Sequence, residues 1–194
     1  MFSLDISLFY FLFNLGQSLK INWLFIFFAS YLPYFIGFAF LYLIYKTKGV
    51  KEKFYYFSFA ALTSILSLGV ITQTIRFFFH HLRPFIALNL TPMIIDNSWS
   101  FPSGHSAFFF AVAFCTFLIS KKWGWILTGS TIIVVVSRII VGVHWPSDIL
   151  GGAIVAYISF AVFYYWLLPP QKIIFSSENK EKDNSKDPAL IQEK

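Results

Sequence analysis

Long apolar stretches alternate along the chain with short polar interruptions. Five stretches carry little or no charge and, at 1.5 Å per residue, are long enough to cross about 30 Å of hydrocarbon as helices: residues 23–45, 54–75, 102–120, 123–143 and 149–168. Pro33 and Gly37 predict a bend in the first, and Pro169-Pro170 must end the last, because proline cannot continue a helix. Residues 1–22 read differently. There Asp5, Ser7, Asn14, Gln17 and Ser18 interrupt Leu8, Phe9, Phe11, Leu12, Phe13 and Leu15, the pattern of an amphipathic helix lying in the membrane interface. This segment has neither a basic start nor a small-residue cleavage site, so it is not expected to be a signal peptide. Beyond Pro170 the sequence changes character: residues 176–187 are charged and nearly free of apolar residues, which predicts a disordered tail. The expected fold is all-α: a polytopic membrane helix bundle with five transmembrane helices, or six if residues 1–22 also cross. Its expected parts are an interfacial segment at 1–22, a transmembrane domain at 23–170 and a disordered cytoplasmic tail at 171–194.

Composition agrees, since 57% hydrophobic against 12% charged residues is not a soluble balance. The net charge of +6 sits mostly in clusters between apolar runs, where it bears on membrane orientation; nucleic acid is not an expected partner. The single Cys115 lies inside an apolar run and excludes an intrachain disulfide framework and a cysteine-based metal site. Lys46, Lys48, Lys51 and Lys53 fall between the first two spans, Lys121 and Lys122 between the third and fourth, and Lys172 after the fifth. Because lysine and arginine near span ends are retained in the cytoplasm, these connections are expected inside and residues 76–101 and 144–148 outside.

The outer connections hold nearly every residue suited to chemistry. All three arginines and all four histidines lie between residues 76 and 144, and the only acidic residues between positions 54 and 177 are Asp96 and Asp148. A charge at mid-membrane costs roughly 2.5 to 3.5 kcal/mol on insertion scales, so those that remain are expected to serve a function. Three patterns stand out. Arg76 precedes Arg83-Pro84 by seven residues, about two helical turns, which would align both guanidiniums on one face. Pro102-Ser103-Gly104-His105 would open the third span, with Pro102 at the first helical position and free N–H groups forming an anion site. Ser137-Arg138 is followed by His144-Trp145-Pro146-Ser147-Asp148; Pro146 predicts a helix start that places Asp148 in a first turn, able to hold an imidazole nitrogen of His144. His80 and His81 lie beside the arginines outside these patterns, and Asp96 reads as a turn residue.

Together the three patterns resemble the signature of the type 2 phosphatidic acid phosphatase superfamily: Lys, six residues, Arg-Pro; then Pro-Ser-Gly-His; then Ser-Arg, five residues, His, three residues, Asp. The resemblance covers residues 76–148 and departs at its first position, where Arg76 stands for lysine. It implies a lipid phosphate substrate, hydrolysis without a cofactor, His144 as nucleophile, Asp148 as its orienting carboxylate and His105 as proton donor to the leaving oxygen. It further implies that Arg76, Arg83, Ser103, Gly104 and Arg138 hold the phosphoryl oxygens. Within the family, a compact chain with an outward-facing site is similar to bacterial undecaprenyl diphosphate phosphatases of the cell membrane. Phosphatidylglycerophosphate, phosphatidic acid, diacylglycerol diphosphate and lipid A phosphates are the alternative substrates. A metal site is not expected, since two-metal phosphatases gather several carboxylates and this core offers only Asp96 and Asp148. The rivals from other classes are an inactive lipid-binding member, which would lack His105 or His144, and a vanadium haloperoxidase, which would be soluble.

Overall fold

The structure, a computed structural model, describes residues 3–19 and 21–167, all helix, turn or loop. The expected tail at 171–194 lies outside the described residues. Met1–Phe160 form one compact unit; Ala161–Lys194 form a second, described as far as the π-helical turns Val162–Leu167. Among the described residues nine α-helical segments run in the order α1 Ser3–Ser18, α2 Asn22–Ser30, α3 Leu32–Lys46, α4 Val50–Ser64, α5 Gln73–Phe78, α6 Pro84–Ala87, α7 Gly104–Thr116, α8 Lys121–Ile140 and α9 Pro146–Ala161. π-Helical turns at Ile65–Thr72 join α4 to α5.

Among the described residues four helical runs are long and apolar enough to cross a membrane: Asn22–Lys46, Val50–Phe78, Lys121–Ile140 and Pro146–Trp166. They match four of the five expected spans. In the first, the predicted bend falls at Tyr31, where the Tyr31 N–H closes on the Phe27 carbonyl at 2.8 Å and Pro33 occupies the opening turn of α3. There proline's missing N–H has no intrahelical partner to lose.

The third expected span is shorter than residues 102–120. α7 has 13 residues, about 20 Å of rise, and most of its side chains are buried. Two sequence features set its ends. Pro102 lies outside the helix rather than at its first position, and Ser103 caps it by accepting the Ser106 N–H at 3.4 Å. At the other end Ser120 caps α8, so the chain must leave α7 before it. α7 is therefore a central post packed against α3, α4, the π turns and α8, with little face left for lipid.

α8 ends in a Schellman motif. The Val143 N–H reaches the Arg138 carbonyl at 3.2 Å, the Gly142 N–H reaches that of Ile139 at 2.9 Å, and Gly142 takes φ +91°. A side chain at Gly142 would be strained there and would also press on the Phe13 ring at 3.1 Å. This turn delivers His144 and Trp145 to Pro146, the first residue of α9. α9 then crosses the start of α7 closely: a Cβ at Gly152 would lie 2.6 Å from the Ser103 carbonyl oxygen. Two hydrogen bonds close the crossing, Ser103 N–H to the Asp148 carbonyl at 3.0 Å and Ser106 Oγ to the Ile149 carbonyl at 2.6 Å.

α1 meets the end of the bundle that carries His144. Asp5 accepts from the Ser147 N–H at 2.9 Å and from Ser147 Oγ at 2.7 Å, so it caps the start of α9. Further along, Phe9 and Phe13 pack with Val135, Ile139, Trp145 and Ile149, and Gly16 abuts Ile140. The outer surfaces of the longer helices are apolar, with Trp23, Phe35, Phe38, Phe54, Trp125 and Tyr157 exposed.

Candidate active site

The residues singled out in the sequence converge at this same end. Arg76 comes from the last turn of α5, Arg83 from the residue that caps α6, His105 from the first turn of α7, Arg138 from the last turn of α8, and Asp148 from the first turn of α9. Arg76 and Arg83 do not share a helix face as expected. α5 stops at Phe78 and residues 79–83 lie outside any helix, because Pro84 forces Arg83 into an extended conformation with φ −70° and ψ 153°. Both guanidiniums still reach one cavity of about 390 Å³, lined by Leu68, Arg76, Arg83, Asp96, Ser98, Gly104, His105, Phe108, Phe109 and His144.

His144 is buried at the wall of this cavity. Its Nδ1 lies 3.3 Å from Asp148 Oδ2 and its Nε2 lies 3.4 Å from Arg83 Nη1. A carboxylate accepts only, so Nδ1 carries the proton and Nε2 presents its lone pair to the cavity. Burial pushes the imidazole down to about 4, against the opposing pull of Asp148 and with help from Arg83 and Arg138, which keeps the ring neutral at physiological pH. Asp148 is wholly buried and its Oδ2 is further held by Ser100 Oγ and by the Trp145 N–H at 2.7 Å.

The arginines differ in what they have left to offer. Arg83 spends its fork on the protein: Nε donates to the Ser98 carbonyl at 2.7 Å, Nη1 to the Val143 carbonyl at 2.7 Å, and Nη2 to Ser98 Oγ and Asp96 Oδ1, each at 2.8 Å. Burial lowers its guanidinium to about 10, leaving it cationic at neutral pH. Arg76 gives Nε and Nη2 to the Pro102 carbonyl at 3.2 and 2.9 Å and Nη1 to Ser98 Oγ at 3.5 Å, which leaves two of its five N–H groups for a ligand. Arg138 stands behind the cavity wall, donating to Asp96 Oδ2 at 2.8 Å, with its buried Nε unpaired. Ser103 is likewise not on the cavity surface; it is buried as the cap of α7, whereas Gly104 does line the cavity.

Asp96 exceeds the turn role expected of it. It does accept from the Ser98 N–H at 3.1 Å, but its two oxygens also bridge Arg83 and Arg138. Burial pushes its carboxyl up, yet the Arg83 charge, the Ser98 hydrogen bonds and the Arg138 charge together hold it below the usual carboxylate range. Its position as one of two acids in an otherwise cationic core was the signal in the sequence. Ser98, Ser100 and His81 carry no comparable signal, since serines and paired histidines in a loop are ordinary. His81 Nδ1 faces Asp148 Oδ1 at 3.4 Å.

His105 also lines a second cavity of about 460 Å³ with Ser30, Pro33, Tyr34, Gly37, Phe38, Leu41, Phe108 and Phe109. A third, of about 480 Å³, shares Gly37, Leu41 and Phe108 with it and Leu68 with the polar cavity. The polar cavity therefore adjoins two mainly apolar cavities along α3, α4 and α7, with Leu68, His105, Phe108 and Phe109 as shared wall residues.

Comparison with known proteins accords with this architecture. The model of the PAP2 superfamily matches residues 57–171. The chain is 31% identical over 204 residues to the bacitracin transport permease protein BcrC of Bacillus licheniformis, covering 94% of this chain and 97% of that protein. It is 29% identical over 144 residues to the undecaprenyl-diphosphatase of Sulfolobus acidocaldarius, covering 73% of this chain and 68% of that one. The crystal structure of Aquifex aeolicus LpxE superposes with a TM-score of 0.65 at 27% identity, covering 83% of this chain and 94% of that one. A histidine and arginine pocket at the end of a helical membrane bundle and a family match over more than half of the sequence lead to one conclusion: the chain belongs to the PAP2 superfamily and is an integral membrane lipid phosphatase.

Proposed function

We propose that the substrate is undecaprenyl diphosphate, cleaved to undecaprenyl phosphate and inorganic phosphate through a phosphohistidine at His144. The observation that carries the reading is that the polar cavity lies against a mainly apolar one, with His105, Phe108 and Phe109 in the wall of both. A long isoprenoid tail can lie in the apolar cavity while the terminal phosphate reaches Nε2 of His144. The oxygen that joins the terminal phosphate to the rest of the lipid then falls beside His105, the one titratable residue among the three, His105, Phe108 and Phe109, that line both spaces. The similarity to the Sulfolobus undecaprenyl-diphosphatase favours this lipid over the other phosphate esters.

In the first step the lone pair of His144 Nε2 forms the N–P bond and the bond between phosphorus and the bridging oxygen breaks. His105 gives its proton to that oxygen. With a diphosphate the leaving group is itself a phosphate monoester and needs less of this help. In the second step a water oxygen attacks phosphorus, neutral His105 takes the water proton, and the P–N electron pair returns to Nε2. Asp148 holds the imidazole that becomes cationic in the phosphoenzyme. The two free N–H groups of Arg76, the Gly104 backbone N–H and the charge of Arg83 stabilise the equatorial oxygens. Arg138 and Ser103 act from behind, through Asp96 and through the start of α7. No metal is required, since Asp96 is committed to two arginines and Asp148 to the imidazoles.

The site faces outward and α1 lies in the outer interface. Supporting this, Lys46, Lys48, Lys51 and Lys53 sit around the α3–α4 turn and Lys121 and Lys122 start α8, at the opposite ends of the helices that carry Arg76 and Arg138. The test is phosphate release in detergent from a panel: undecaprenyl diphosphate, phosphatidylglycerophosphate, phosphatidic acid, diacylglycerol diphosphate and a lipid A phosphate. The highest kcat/KM is expected for undecaprenyl diphosphate; a higher value for any glycerophospholipid or lipid A overturns the substrate assignment. Trapping of acid-labile, base-stable phosphate on the protein tests the intermediate.

A further inference from the structure

Asp148 is shared by two imidazoles. Its Oδ2 serves His144, Ser100 and Trp145, as described, while its Oδ1 has no hydrogen-bond partner of good geometry and is buried. The atom facing it, His81 Nδ1 at 3.4 Å, is also buried and also lacks any such partner. Two orphaned polar atoms of opposite character at that separation satisfy each other with a small rotation of either side chain. The rest of His81 is partly open to solvent. Its ring is set by neighbours on several elements: Trp145 and Phe101 lie 6.4 Å away, and its carbonyl accepts the Ser100 N–H at 2.9 Å. His81 thus touches the back of the acid that orients His144 and keeps contact with the aqueous side.

We propose that His81 is a positioning residue whose protonation turns the enzyme down in acid by drawing the charge of Asp148 away from His144. This rests on the reading of His144 as nucleophile. When His81 is neutral, Asp148 concentrates its negative charge on the Nδ1–H of His144 and raises the electron density at Nε2. When His81 gains a proton, Asp148 becomes the counter-ion of a second cation, its hold on His144 weakens, and Nε2 becomes a poorer nucleophile. Among the described residues the groups facing His81 are Asp148, whose Oδ1 lies 3.4 Å away, and Asp5 from α1 through charge alone. His80, next in the chain, stacks instead on Trp99 at a ring separation of 4.5 Å. The close approach of Asp148, opposed by burial and aided by the charges of Asp148 and Asp5, raises His81 above the ordinary histidine value, whereas His144 is pushed down to about 4. On acidification His81 therefore charges first, with His144 still neutral. The acid limb of the activity profile has two steps, and the upper one belongs to a residue that never touches substrate.

The experiment compares kcat/KM against pH from 5 to 9 for wild type, His81→Gln, His81→Asn and His144→Ala. Glutamine can donate to Asp148 but cannot ionise. Wild type is expected to lose roughly three- to tenfold in the upper step, a loss on the scale of one pK unit or less of changed basicity at His144. His81→Gln should keep its activity at pH 8 within about threefold and remain flat through the upper step. A His81→Gln profile that superimposes on wild type, or that is scaled by one factor at every pH, overturns the proposal. Activity surviving in His144→Ala overturns the nucleophile assignment instead, so the two failures are distinct. If neither His81 variant accumulates as folded protein, ¹⁵N-histidine spectra of the wild type in detergent decide. One imidazole titrating above a free histidine standard is expected, and none doing so overturns it.

Discussion

The two walls of the active cavity are built on opposite principles. On the α8–α9 side, Asp148 Oδ2 has three partners, Arg83 has an acceptor at every nitrogen, and His144 and Asp148 are sealed from solvent. On the α3–α4 side, Gly37, Leu41 and Phe108 line cavities whose walls are mainly apolar, interrupted by Ser30, Tyr34, Ser64 and His105. A dense hydrogen-bond network admits few geometries and holds its side chains in place, while an apolar wall has no directional preference and selects by length and shape. On the proposed reading, phosphoryl chemistry and lipid choice are held by different residues, and substitutions on the two walls should fail in different ways.

The largest effect is expected on the polar wall. If His144 is the nucleophile as proposed, His144→Ala removes the attacking atom and should lower kcat by about 10⁴- to 10⁶-fold with every substrate. Rapid-quench measurement should find no phosphate on the protein. His105→Ala comes next. Loss of general acid–base assistance typically costs 10²- to 10⁴-fold, and the loss should shrink with an activated leaving group such as p-nitrophenyl phosphate. Equal losses on ester and activated substrate would remove His105 from the leaving-group side and with it the division between the walls.

The same division explains what could be read in advance. Elements that depend on composition alone were legible: four long apolar runs, the break ahead of Pro33, and the start of α9 at Pro146. The convergence of the candidate residues was foreshadowed because arginine, histidine and aspartate are expensive in a membrane and therefore conspicuous. The two errors came from local geometry. Seven-residue spacing between Arg76 and Arg83 matches a helix face, but Pro84 holds Arg83 extended, and nothing in the spacing says that the helix stops at Phe78. The apolar run at residues 102–120 suggested a full span, yet Ser103 and Ser120 both act as caps and cut α7 to 13 residues. Long-range pairings were invisible. Asp5 at the start of α9 and His81 behind Asp148 depend on how distant segments dock.

On the apolar wall a smaller and more selective effect is expected. A Cβ added at Gly37 meets no atom within 4 Å, so a large side chain there enters the apolar cavity without disturbing the helix backbone. Gly37→Trp should raise KM for a long-chain lipid diphosphate roughly tenfold, the cost of displacing about two methylenes at roughly 0.8 kcal/mol each, while kcat and the KM for a short-chain soluble phosphate stay within about twofold. Parallel loss on both substrates would mean that the apolar wall supports the fold and does not hold the tail.

The smallest expected effect is none. Removing divalent ions with EDTA should leave kcat/KM unchanged within about 20%, and added magnesium should not raise it, because the cations that a two-metal phosphatase recruits from solution are already present here as side chains. Asp96 shows why. A carboxylate that bridged a metal would need free lone pairs toward the cavity, but both Asp96 oxygens point at guanidiniums 2.8 Å away, and neutralising those arginines is what lets three of them coexist at one end of the bundle. Asp96→Asn should therefore weaken the hold on Arg83 and Arg138 and lower activity without creating a metal requirement. A magnesium-dependent recovery of EDTA-treated enzyme would show instead that the arginine cluster is an incomplete substitute for a metal, and the mechanism drawn for the polar wall would have to be abandoned.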